Sequence, residues 1–126
     1  MFKIRILGSS AGGGLPQWNC GCNNCKNCRN GEIQERTQSS IAVTIDNKKW
    51  ILLNASPDFR QQFNNLIKDY PFDEIRNNNV KDIILADSQI DHVTGLLSMR
   101  ESKKLNLYSS SNVKNELTYD FNILKI

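Results

Sequence analysis

The sequence lacks several features that would assign its 126 residues to a broad class of function. Lys and Arg are scattered without a block of like charges, and the formal net charge is only +3, so nothing indicates nucleic acid or an anionic membrane as a partner. The N-terminal apolar run is interrupted by Lys3 and Arg5 and ends at Gly8, unlike a signal peptide or a membrane span. We therefore expect a cytoplasmic protein without a membrane-spanning segment.

Internal repeats and linker-like stretches are also missing, so residues 1–126 are expected to form part of a single domain. The spacing of apolar residues predicts strands and helices in the order β-β-β-α-β-α-β-α, with SSIAVTI and WILLNA joined as a hairpin by the turn DNKK. The clearest helix lies in SPDFRQQFNNLIKDY, where Ser56 suits the N-cap and Asp58 suits the first turn. The predicted apolar face of this helix comprises Phe59, Phe63, Leu66 and Tyr70.

The C-terminal segment predicts another helix, with Val113, Leu117 and Phe121 on one face. Neither a glycine cap nor a polar tail follows before Ile126. An apolar helix face needs a surface to cover, and we expect a distal region to supply it. The chain is therefore expected to be a fragment of a longer protein, which would associate or fold loosely by itself.

All four cysteines lie in the stretch NCGCNNCKNC, as Cys20, Cys22, Cys25 and Cys28. In a reducing compartment such a cluster favours metal over disulfides, and thiolates are good ligands for structural zinc. The spacing does not match a bacterial ferredoxin. A redox role for the C-x2-C pair is disfavoured because no helix is expected to open there. Unligated thiols are the remaining alternative, and a zinc site is the prediction.

A glycine-rich loop, GSSAGGG, precedes the cysteines. It lacks both G-K-[ST] and G-x-G-x-x-G, which disfavours a phosphate-binding loop. Glycines that allow the backbone to pass close to a metal site are the preferred interpretation.

Four stretches of this sequence resemble the coenzyme PQQ synthesis protein B family of the metallo-β-lactamase superfamily. They are GSSAGGGLPQWNCGCNNC, RTQSSIAV, NASPDFRQQ and DSQIDHVTGLLSMRE, which together run from Gly8 to Glu101. The resemblance implies an α/β protein, the N-terminal half of a metallo-β-lactamase-like αββα four-layer sandwich. It also assigns Cys20, Cys22 and Cys25 to a structural zinc, completed by a distal histidine. The additional Cys28 is a candidate substitute for that ligand.

The superfamily motif H-x-H-x-D-H aligns with Asp87 through His92, the only histidine of the chain. Asp87 and Gln89 stand where two histidines would be, whereas Asp91 and His92 keep the Asp-His pair. With a distal histidine, the resemblance implies a site of two histidines and one carboxylate, the ligand set of non-haem Fe(II) oxygenases. Asn54 likewise stands where many members have Asp.

The family resemblance implies a role in pyrroloquinoline quinone (PQQ) biosynthesis, as an iron-dependent hydroxylase of the tyrosine in a peptide-derived Glu–Tyr unit. Asp91 and His92 would be its catalytic residues. One alternative is a carrier involved in transport of PQQ or its precursor to the periplasm. Another is a phosphodiesterase-like hydrolase, which the loss of two motif histidines disfavours. An oligomer is compatible with all three alternatives.

Overall fold

A computed structural model describes residues 1–72, 74–76, 79–102, 104–122 and 124. Its strands are β1 (Lys3–Gly8), β2 (Ser40–Thr44), β3 (Trp50–Leu53), β4 (Val80–Ile84) and β5 (Asn106–Tyr108). Its helices are α1 (Asn23–Arg29), α2 (Phe59–Asp69), α3 (Ile90–Val93), α4 (Gly95–Ser98) and α5 (Ser111–Asn115), which continues as a π-helical turn, Glu116–Asp120. The helix of the cysteine stretch, α1, is absent from the predicted order.

The strands form one mixed sheet in sequence order. The pair β2–β3 is antiparallel, as the predicted hairpin requires, and β1–β2 is antiparallel too, whereas β3–β4 and β4–β5 are parallel. Because β3 and β4 are parallel neighbours, the loops that follow them emerge at the same edge of the sheet.

One face of the sheet is covered by α2. Ala42, Leu52 and Ile83 are fully buried on this side. The predicted helix face is confirmed, since Leu66 is buried and the aromatic residues Phe59, Phe63 and Tyr70 pack against the same core. The helix begins at Phe59, later than predicted, because Pro57 and Asp58 form a turn after Ser56, whose hydroxyl accepts from the backbone N–H of Asp58.

The other face of the sheet is apolar and exposed in the described part of the chain. Cross-strand partners place Ile4, Ile6, Val43, Ile51 and Ile84 on it. The side chains of Ile4 and Ile6 are 61% and 66% exposed, which is unusual for β-branched residues in a sheet.

The C-terminal helix differs from the prediction. Val113 and Leu117 are buried in the core of this chain, and of the three only Phe121 is exposed, at 42%. The expectation that all three need a distal surface is therefore wrong, since the helix packs on the same core as the sheet. Of the final segment, Ile123, Lys125 and Ile126 lie outside the described residues. None of the described helices is long and apolar enough to cross a membrane.

Candidate metal sites

The cysteine loop brings three thiols together. The Sγ atoms of Cys20, Cys22 and Cys25 lie within 4.8 Å of one another. Among the residues that the structure describes, this is the one group of three or more His, Cys, Asp or Glu side chains close enough to share a metal ion. Cys22 is the N-cap of α1, and Cys25 lies in its first turn. The expectation that no helix opens at the C-x2-C pair is therefore wrong.

The surroundings of the three-thiol group shift the pKa of two of its members. The backbone N–H of Cys25 has the largest effect on Cys22 and, together with the thiol of Cys20, lowers the pKa of Cys22 to about 7. The pKa of Cys25 is raised. The backbone N–H of Gln17 favours the Cys25 thiolate, but burial and the two neighbouring thiols outweigh it. A bound cation would favour the thiolate form of all three.

Arg29 holds the loop that carries the first cysteine. Its guanidinium donates to the carbonyl oxygens of Cys20 and Gln17, each at 2.6 Å. The backbone N–H of Cys20 also donates to the Gln17 carbonyl, at 3.1 Å. A planar donor fork suits two such acceptors. Sequence reasoning missed Arg29, because nothing in the spacing of an exposed basic residue indicates such a contact.

Cys28 does not belong to the three-thiol group. It is buried in α1, and its thiol donates to the carbonyl oxygen of Leu15 at an S···O distance of 3.7 Å. A free buried cysteine of this kind packs as a small apolar residue. The geometry therefore offers three thiolate ligands from this loop.

Asp91 and His92 lie in α3, which follows β4 after a short loop. The Nε2 atom of His92 is 3.6 Å from Oδ2 of Asp91, so the two side chains face a common space. The Nδ1 atom of His92 is hydrogen bonded to Oδ1 of Asp87, at 2.8 Å. Burial works against ionisation of Asp87, yet the backbone N–H of Gln89 and the His92 ring keep the pKa of this carboxyl below its usual value.

The loop after β3 docks against α3 and α4. The backbone N–H of Ala55 donates to the His92 carbonyl at 2.7 Å, and the N–H of Gly95 donates to the Ala55 carbonyl at 2.8 Å. Asn54 has a φ of +62°, and its side-chain oxygen accepts from the N–H of Ala86 at 3.1 Å. Asn54 therefore acts here through a backbone contact that positions the loop leading to Asp87.

The glycine loop approaches the carboxylate of Asp91. A Cβ atom at Gly12 would lie 3.2 Å from Oδ2 of Asp91, which is tighter than an ordinary contact. The next residue, Gly13, donates its N–H to the side-chain oxygen of Gln38 at 2.9 Å. Gln38 in turn donates to the Asp58 carboxylate from both its backbone and its side chain, at 2.9 and 3.1 Å. Asp58 is thus more than a helix-start charge, because it anchors the support of the glycine loop.

Comparison with known proteins begins with a family model described as beta-lactamase superfamily domain, which matches residues 49–126. The chain belongs to the beta-lactamase superfamily. The predicted metallo-β-lactamase-like α/β fold is thereby confirmed. A diphosphatase structure from the PhnP family shares this superfamily fold, with a TM-score of 0.71 at 22% identity over 98% of this chain and 48% of that one.

Within the superfamily, the predicted resemblance to coenzyme PQQ synthesis protein B is confirmed. The protein of that name from Methylococcus capsulatus is 48% identical over 98% of this chain, and that from Acinetobacter baumannii AYE is 47% identical over 99%. This chain spans 41% and 42% of their lengths, respectively. The crystal structure of Zn(2+)-bound PqqB from Methylobacterium extorquens matches with a TM-score of 0.85 and 42% identity, over 94% of this chain and 43% of that one.

Both ligand groups fit the metals that the superfamily resemblance implies. Tetrahedral zinc with Zn–S bonds of about 2.3 Å places neighbouring sulfur atoms roughly 3.8 Å apart. Because the three sulfur atoms lie within 4.8 Å of one another, zinc binding needs only a small inward movement of the cysteine loop. At the second group, one imidazole nitrogen and one carboxylate oxygen 3.6 Å apart supply two donors of the mixed N,O type that suits iron.

Proposed function

We propose that this chain carries part of the metal-binding machinery of a protein of PQQ biosynthesis. The support is 47–48% identity to coenzyme PQQ synthesis protein B over nearly the whole chain, together with a cysteine group of zinc-binding geometry. In this proposal Cys20, Cys22 and Cys25 hold a structural zinc through thiolates. The zinc would fix the loop that Arg29 clamps, and it would take no part in the reaction.

The Asp91–His92 pair is proposed to supply two ligands of a catalytic Fe(II) site. Iron bound there would supply redox chemistry with O2, which zinc lacks. The chain's own contribution is to hold the two donors on one turn of α3, whose backbone is fixed by the Ala55–His92 hydrogen bond. A third ligand would come from outside residues 1–126, because His92 is the only histidine of this chain.

Hydroxylation is favoured over hydrolysis by the residues that stand at the first two histidine positions of the superfamily motif, Asp87 and Gln89. Asp87 bonds His92 instead of facing a second metal as a histidine would, and Gln89 offers a neutral amide. A two-metal hydrolase clamps its substrate between neighbouring cations, and this motif has lost two of the imidazoles that hold them. These residues favour hydroxylation as the type of reaction, and the family resemblance implies the tyrosine ring of a peptide-derived Glu–Tyr unit as its substrate.

A chimera tests the proposal. Residues 1–126 of this chain replace the aligned region of the Methylococcus capsulatus protein, to which they are 48% identical. The chimera is supplied with Fe(II), O2, a Glu–Tyr peptide and ascorbate, because a reductant must convert the second oxygen atom to water. We expect the peptide to gain the mass of one oxygen atom in an iron-dependent manner. His92→Ala should abolish the gain while the zinc content stays unchanged.

Other outcomes of the same experiment would favour the alternatives. Tight binding of PQQ by the chimera without turnover would favour the carrier function. Two equivalents of zinc beyond the one held by the cysteines, together with phosphodiester cleavage, would favour the hydrolase. The 126-residue chain without the graft is expected to be inactive, since it offers only two of the three ligands.

The zinc site has a test of its own, with a matched control in the same loop. Cys25→Ser should remove zinc from the purified 126-residue chain, as measured by elemental analysis. Cys28→Ser should leave the zinc content unchanged, because its thiol faces the Leu15 carbonyl. Loss of zinc in Cys28→Ser would identify Cys28 as the fourth ligand, and a Cys20–Cys22 disulfide under reducing conditions would contradict the zinc site altogether.

A further inference from the structure

We infer that Asp87 is a positioning residue for His92, which keeps the imidazole proton on Nδ1 and leaves Nε2 as the metal-binding nitrogen. The assignment of Nε2 as a metal ligand rests on the function proposed above. The position of the ring and of its proton follows from the contacts of this chain and is tested without any metal.

The two ring nitrogens of His92 have different surroundings. Nδ1 lies 2.8 Å from a carboxylate oxygen of Asp87, a normal hydrogen-bond distance. Nε2 lies 3.6 Å from the nearer oxygen of Asp91, which is too long for a hydrogen bond. A neutral imidazole has one N–H donor and one lone pair. Because a carboxylate can only accept, the proton belongs on Nδ1 and the lone pair on Nε2.

Asp87 is itself held in place. The same oxygen that meets His92 also accepts from the backbone N–H of Gln89 at 3.0 Å, which ties the carboxylate to its own loop. The adjacent Ser88 donates to the carboxylate of Glu116 on the π-helical turn. At the other end of the contact, the backbone of His92 is fixed by the N–H of Ala55. The ring is therefore oriented by one contact and its backbone by another.

Such an arrangement is how metal-binding histidines are commonly prepared. A carboxylate on the non-ligating nitrogen fixes the tautomer and the ring direction, and its loss typically weakens metal binding 10- to 100-fold. Asp87 stands where the superfamily motif has a histidine. Here Asp87 supports the proposed ligand His92 through a hydrogen bond instead of binding a metal itself.

The single histidine makes the test unambiguous. In the uniformly 15N-labelled, metal-free chain, two-bond 1H–15N correlations of the imidazole show which nitrogen carries the proton. The spectrum is recorded at about pH 9, above the pKa range usual for histidine side chains in proteins. We expect a protonated Nδ1 and an unprotonated Nε2 in the wild-type chain.

Three variants separate positioning from a general effect on the fold. Asp87→Ala should move the proton to Nε2, the form that prevails in unconstrained histidine. In Asp87→Asn the backbone N–H of Gln89, which donates to the same oxygen as the His92 ring, should hold the amide with its oxygen toward His92, so Nδ1 should remain protonated. Asp91→Ala should leave the tautomer unchanged, because Asp91 is beyond hydrogen-bond distance. The backbone amide spectrum of each variant shows whether it is folded.

A proton on Nε2 in the wild-type chain, or the same tautomer in wild type and folded Asp87→Ala, would overturn the inference. If Asp87→Ala does not fold, the wild-type and Asp87→Asn spectra test the inference. A change of tautomer in Asp87→Asn would also count against the positioning role of Asp87. In the zinc-loaded chimera, Asp87→Ala should weaken Fe(II) binding 10- to 100-fold, and Asp87→Asn should weaken it less. A correct tautomer without hydroxylation would reject the proposed function and leave the positioning role intact.

Discussion

Gly95→Ala is expected to disturb the contact between the loop after β3 and the start of α4, which helps to hold the backbone of His92 in place. A Cβ atom at this position would lie 2.2 Å from the carbonyl oxygen of Ser56 and 2.7 Å from the carbonyl of Ala55. These obstacles are backbone atoms, which cannot rotate away as the end of a side chain could. The loop after β3 must therefore move away from the start of α4.

The size of the effect follows from three terms. Overpacking a tight site costs about 1–3 kcal/mol of unfolding free energy, and a backbone obstacle favours the upper end. The hydrogen bonds Gly95–Ala55 and Ala55–His92 would be strained, and each contributes about 0.5–1.5 kcal/mol. Alanine in a helix gains about 1 kcal/mol over glycine, which offsets part of this loss. We expect a net destabilisation of about 2–3 kcal/mol.

For a chain of this length, that loss lowers the midpoint of thermal unfolding by about 10 °C. Circular dichroism of the zinc-loaded chain measures it. Gly21→Ala is the matched control, because its nearest neighbour would be 4.0 Å away, and its midpoint should change by less than about 2 °C. A midpoint for Gly95→Ala equal to or above wild type would refute the reasoning, since helix propensity alone would then decide.

Three further predictions concern the cysteine loop and the exposed sheet face. Arg29→Ala should release zinc to a chelator at least several-fold faster than wild type, because the carbonyls of Cys20 and Gln17 lose their shared donor. An unchanged rate would show that Arg29 does not hold the cysteine loop in place. In the zinc-free chain, the rate at which iodoacetamide alkylates Cys22 should rise with pH around a midpoint of about 7, since only the thiolate reacts. Mass spectrometry of the labelled peptide measures this rate. Ile6→Lys should reduce the concentration-dependent association of the chain, because Ile6 is 66% exposed on the apolar sheet face. Size-exclusion chromatography with light scattering measures this association. Equal association of the wild type and the variant would show that another surface is responsible.

The sequence predicted the elements whose signals are local. The apolar face of α2 follows from helical spacing, and the β2–β3 hairpin follows from alternating residues around a polar turn. The three-thiol group could also be predicted from the sequence, since its members lie within six positions and a short loop keeps them close. The glycine loop was assigned to close backbone approach, and Gly12 beside Asp91 fits that assignment.

Contacts between distant segments could not be read in this way. Val113 and Leu117 were expected to need a distal surface, yet they are buried because β5 leads α5 back onto the core. The apolar residues of β2 were visible in the sequence. Which face of the sheet α2 covers was not, because that depends on the direction in which the chain leaves β3.

By itself, the sequence determined the chemistry available to this protein: three closely spaced thiols, one histidine and the carboxylate beside it. Only the tertiary structure decided which of these groups meet and in what orientation. Parallel β3 and β4 bring their following loops to one sheet edge, so that Ala55 fixes the backbone of His92. The turn into α3 directs Asp87 to the His92 ring, and the Leu15 carbonyl accepts from the thiol of Cys28, which is not part of the three-thiol group. Residue spacing limits how far a side chain can reach, whereas the packing of elements distant in sequence sets where it points.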